Sequence, residues 1–120
     1  MSLISQILLV LSAALFFFIF YLETLATTSD KTSQTFGMTK ADLESKSLNV
    51  LMRNQGVYNG FIGLGLLYAA FFSSNGKEVA LVFLVNILVV ALYGGLTSNK
   101  SIILKQGGLP FLALLSLIFL

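Results

Sequence analysis

The sequence predicts an all-α integral membrane protein: four antiparallel transmembrane helices in one bundle. Three observations carry that expectation. Of 120 residues, 57% are hydrophobic and 10% charged, and the mean hydropathy is +0.93. A soluble domain carries roughly 25% charged residues, so this chain lacks the polar surface to cover a globule in water. Four apolar runs approach the roughly 20 residues that a hydrocarbon core about 30 Å thick requires. Polar turns separate them, and the lysines and arginines gather at one end of the runs.

The first run, Leu3 to Leu22, carries no charge. No basic residue precedes it and its end is aromatic, so it is expected to be a retained helix and not a cleaved secretory signal. The stretch from Glu23 to Met38 is polar, rich in Thr and Ser, and shows no sustained period, which predicts a loop outside the membrane. Thr39 then offers a cap to a helix start at Lys40-Ala41-Asp42, with the acid at the positive helix end. The second span is expected over 48–72. The short turn Ser73 to Lys77 should make the second and third helices antiparallel neighbours. The third span, 79–96, is uncharged and rich in β-branched residues. It reads as helix because hydrocarbon does not tolerate an open sheet edge. The fourth, 101–120, must carry Lys105, Gln106 and Pro110 in its first half, and Pro110 is expected to kink it. All 120 residues form one transmembrane domain, with 23–47 as its cytoplasmic loop.

Composition also excludes chemistries. Cysteine and histidine are absent, which removes disulfides, thiolate nucleophiles and imidazole bases or ligands. The net charge of +2 comes without a basic block, so nucleic acid is not an expected partner. No cofactor or metal site is expected. Acid–base catalysis would depend on Glu23 or Lys105, since Asp30, Asp42, Glu44 and Glu78 fall in loops or at span ends. An enzyme is therefore the reading least favoured.

Four crossings place both termini on one side. Lys31, Lys40, Lys46, Arg53, Lys100 and Lys105 flank the loop side, against Lys77 alone on the terminal side. The positive-inside rule then makes the loop side cytoplasmic and the termini extracytoplasmic, in the cell membrane. That topology gathers polar residues in one layer: Glu23 from the first span, Asn54, Gln55, Tyr58 and Asn59 from the second, Tyr93 from the third, and Lys105 and Gln106 from the fourth. Polar groups left unpaired in hydrocarbon are costly, so these should face the interior, with Glu23 pairing to Lys105 or Arg53. A plainer reading stays open. The cations snorkel to headgroups, Glu23 caps its helix, and the amides only join helices.

Gly56, Gly60 and Gly63 share one face of the second span and form a small-residue packing seam. Neither a preceding strand nor a Lys-Ser/Thr ending accompanies them, so a phosphate loop is excluded. Whether the seam joins helices of one chain or of two copies is left open by the sequence.

The segment NQGVYNGF, Asn54 to Phe61, resembles the signature of the domain of unknown function 1304 family, small four-helix membrane proteins of bacteria. Tyr21-Leu22-Glu23-Thr24, Phe36-Gly37-Met38-Thr39, Tyr93-Gly94, and Gln106-Gly107 followed by Pro110 are similar to further family motifs. The resemblance covers essentially the whole chain and singles out Glu23, Asn54, Gln55, Tyr58, Asn59 and Gln106. It implies an architecture and no known reaction. Many members carry a glutamate-histidine pair where this chain has Leu15 and Phe16. Length and a first-helix glutamate are also shared with the small multidrug transporters. Their acid lies deep in the helix, however, and the 23–46 loop has no counterpart in them.

Two functions are expected. The first is a polar pocket in the cytoplasmic half that binds or transports a small amphiphile, a lipid or an ion. The alternative is a non-catalytic helper subunit that assembles, as a homo-oligomer or with a larger complex, through the Gly56/Gly60/Gly63 face.

Overall fold

Ser2 opens the first helix by accepting a hydrogen bond from the Ser5 backbone N–H, one of the donors every helix start leaves free. In the computed structural model, which describes residues 1–120, α1 (Leu3–Phe20) follows and runs directly into one wider π turn, Tyr21–Leu25. The remaining elements are α2 (Asp30–Phe36), α3 (Lys40–Glu44), α4 (Lys46–Phe71), α5 (Gly76–Thr97) and α6 (Ser101–Phe119). There is no strand.

The count of helices corrects the sequence reading. Six α-helices are present, because the segment read as a loop over 23–47 contains the end of the first helix and both α2 and α3. Helix α2 has no apolar stripe to announce it. Its ends are chemical: Ser29 accepts from the Thr32 backbone N–H, and Gly37 closes the helix in the left-handed region (φ 64°) that glycine adopts without strain. Thr39 caps α3 through the Asp42 N–H, as its sequence predicts.

Three helices are long and apolar enough to cross a membrane: Leu3–Leu25, Gly76–Thr97 and Ser101–Phe119, with mean hydropathies of 2.6, 2.5 and 1.8. The fourth long helix, α4, is not among them. Its 26 residues suffice in length, but Lys46, Arg53, Asn54, Gln55 and Asn59 dilute its first half. Helix α6 continues unbroken through the buried Pro110.

The long helices surround one apolar core of Leu9, Phe16, Leu66, Leu84, Ile87 and Leu117 with small alanines between them. Helix α4 packs most extensively on α1, and α5 on α6. The expected neighbours α4 and α5 touch less, because the glycine seam turns α4 toward α1. A Cβ at Gly60 would stand 3.2 Å from the Phe20 ring, and one at Gly63 would stand 2.9 Å from that of Phe17. The seam is thus filled within the chain, which removes it as the free face that the helper-subunit alternative needs.

Contacts fix which ends lie together. The Ser5 and Ser116 hydroxyls are 2.8 Å apart, and the Gln6 amide donates to the Ala70 carbonyl at 2.9 Å. The start of α1, the end of α4 and the end of α6 therefore share one end of the molecule. At the other end Thr24 donates to the Arg53 carbonyl, and Lys105 to that of Thr35.

Candidate functional site

The π turn builds the site. A turn closed by i→i+5 bonds, here Ala26 N–H to the Tyr21 carbonyl at 2.9 Å, is wider than an α turn and leaves carbonyls without their usual partners. Threonine hydroxyls fill that role. Thr27 donates to the Glu23 carbonyl at 2.7 Å, and the Thr32 hydroxyl lies 2.7 and 3.1 Å from the carbonyls of Ala26 and Leu22. Thr32 is fully buried, so α2 serves to carry one hydroxyl under the turn.

Opposite the turn stands Gly56. A Cβ there would collide with the Thr24 hydroxyl and stand 3.0 Å from both Glu23 Cβ and the Thr24 backbone nitrogen. Only a glycine lets α4 approach this closely. The approach brings two amides of α4 to the Glu23 carboxylate. Asn59 Nδ2 donates to Oε1 at 2.6 Å and Gln55 Nε2 to Oε2 at 3.1 Å. Glu23 is 1% exposed and has no cation within ion-pair distance, since the single ion pair of the structure joins Lys40 and Asp30.

The expected pairing of Glu23 with Lys105 or Arg53 is therefore corrected. Arg53 lies on the exposed side of α4, and only its carbonyl faces the turn, where it accepts from Thr24. Lys105 reaches across to α2 and donates to the Thr35 carbonyl at 3.1 Å. Charge complementarity named these partners, but helix rotation decided against them.

A cavity of about 380 Å³ borders the acid, lined by Glu23, Gln55 and Gln106 together with Met38, Ser98 and Asn99. A second space of about 620 Å³ adjoins it through Gln55, Val90 and Gln106. It runs between α4 and α5 and is lined by Asn54, Tyr58, Asn59 and Asn86. Five expected site residues (Asn54, Gln55, Tyr58, Asn59 and Gln106) thus line these two neighbouring spaces, the first of which Glu23 borders. Lys105 faces another crevice. Tyr93 lies apart, 71% exposed. The sequence reading missed Thr24, Thr27, Thr32 and Asn99. The threonines carried a signal in their density just after Glu23, but nothing in their spacing announces a π turn.

A helical chain with three helices suited to crossing a membrane, and a buried acid closing the first, defines a small membrane-associated protein. The chain belongs to the family described as Protein of unknown function (DUF1304), which matches residues 10–118. It is 56% identical over 119 residues, 99% of this chain and 100% of the relative, to the uncharacterized protein YpaA of Lactococcus lactis subsp. lactis (strain IL1403). No solved structure matches it.

Proposed function

We propose that the chain crosses the membrane four times and binds, at Glu23, the head of a small amphiphile or an ion that enters through the groove between α4 and α5. One observation carries this reading. Glu23 is buried at the edge of a cavity that Gln55, Ser98, Asn99 and Gln106 also line, with two amide donors and no countercharge. A buried carboxylate without a cation is an expensive arrangement, and a positively charged ligand is the partner that would complete it. Four crossings are supported by the shared end of the α1 start and the α6 end, and by the length of α4. The excess of Lys and Arg around the 23–47 segment supports a cytoplasmic site.

The test is calorimetric titration of the chain in lipid nanodiscs with a short alkylammonium ion and, separately, with sodium. Wild type should bind one of the two. Glu23→Gln keeps the size and one of the two acceptor oxygens, and should weaken binding about ten- to a hundredfold, the worth of a hydrogen-bonded charge. Asn59→Leu should do the same while the helical circular dichroism stays unchanged. Equal titrations for wild type and both variants would remove Glu23 as a ligand site.

A further inference from the structure

A different crevice adjoins the cavity of Glu23 at Phe36, Ile102 and Gln106. It encloses about 420 Å³ between α1, α2 and α6, and its walls change character along their length. Along one side they are apolar: Leu15, Phe18 and Ile19 on α1 and Leu22 in the π turn. At its loop end stand Lys31 on α2, beside Gln34, and Ile102 and Lys105 at the start of α6. No carboxylate lines it. The nearest acid in sequence, Asp30, is already paired with Lys40. Lys31 has no hydrogen-bond or ion-pair partner, and Lys105 uses one of its three donors on the Thr35 carbonyl.

We propose that this crevice holds an acidic phospholipid, with its phosphate on Lys31 and Lys105 and one acyl chain along the α1 wall. The order of the walls decides the occupant. From Leu22 in the π turn back to Leu15 on α1 the wall extends about 10 Å at 1.5 Å per residue, an apolar track running away from the two ammonium groups. A free phosphate would use the lysines and leave that track empty. A zwitterionic lipid would use the track but bring a phosphate already balanced by its own ammonium, leaving the two lysines in excess. An anionic headgroup joined to a chain satisfies both, and it is at hand in any bilayer that covers α1 and α6. The inference shares with the proposed function the placement of these helices in a membrane, and it makes no use of Glu23.

The experiment compares lipids retained by the full chain. The protein is reconstituted in nanodiscs containing equal phosphatidylglycerol and phosphatidylcholine, released gently, and read by native mass spectrometry. Wild type should retain one phosphatidylglycerol in preference to phosphatidylcholine. Each lysine near an anionic group is worth about fivefold, so Lys31→Gln with Lys105→Gln should reduce that preference about thirtyfold. Lys31→Arg with Lys105→Arg should keep it, which separates charge from any change in fold. Glu23→Gln should leave it untouched, so that the two sites fail or stand separately. An undiminished preference in the double glutamine variant overturns the assignment. Displacement of the lipid by millimolar inorganic phosphate also overturns it, by showing a site for the free anion.

Discussion

Gly56 and Gly94 are both helical glycines, yet their surroundings give them opposite worth. Against Gly56 the π turn leaves no room for a methyl group, whereas a Cβ at Gly94 would meet only Ile102 Cγ2 at an ordinary 3.8 Å. Gly56→Ala should therefore destabilise the fold by about 1–3 kcal/mol, the usual cost of overpacking. Gly94→Ala should stabilise it by about 0.5–1 kcal/mol through helix propensity alone. Unfolding in detergent, followed by circular dichroism, measures both. A sequence shows that glycines share a face. It does not show which helix fills that face, and so Gly56, Gly60 and Gly63 were legible as a seam but not as the seat of α1. The partners of Glu23 were hidden for a related reason. Asn59 and Gln55 lie one turn apart on α4 and meet the acid, while Arg53, only two positions before Gln55, is rotated away from it.

At the level of elements, hydropathy located the four long helices because polar turns bound them at Ser73–Asn75 and Ser98–Lys100. The same property hid α2, which is polar up to its last residue, Phe36, and whose identity rests on a serine cap and a glycine stop. The π turn was beyond reach altogether. An i→i+5 bond is chosen over i→i+4 only when something satisfies the displaced carbonyls, and here Thr32 does so from ten residues beyond Leu22. Thr32→Val preserves the shape and removes the donor. It should cost about 1–3 kcal/mol, the penalty for buried acceptors left unmet. Backbone amide exchange should rise between Leu22 and Ala26 while the middle of α1 stays protected. Unchanged exchange there would show that the turn holds without Thr32.

For the whole molecule, the order of ends is the property on which the membrane reading depends. The chain has no cysteine, so each introduced cysteine is a unique label. In intact cells Ser2→Cys and Leu120→Cys should react alike with a membrane-impermeant maleimide, and Lys40→Cys should react only after the membrane is opened. Labels at positions 2 and 120 that differ in accessibility would contradict an even number of crossings.

The uneven sharing of contact among the long helices has a mechanical corollary. Helices α1 and α4 form one tight pair and α5 and α6 another, and the pairs meet along two looser seams. The groove lined by Asn59 lies in the α4/α5 seam, and the lysine-rimmed crevice in the α1/α6 seam. Pairs that rock as rigid halves cannot widen both seams at once, so a wedge in one closes the other. A lipid lodged beside Lys105 should then compete with whatever seats itself on the acid. Linkage requires the antagonism to be mutual. Alkylammonium affinity measured in phosphatidylglycerol should fall below that in phosphatidylcholine, and Lys31→Gln with Lys105→Gln should erase the difference.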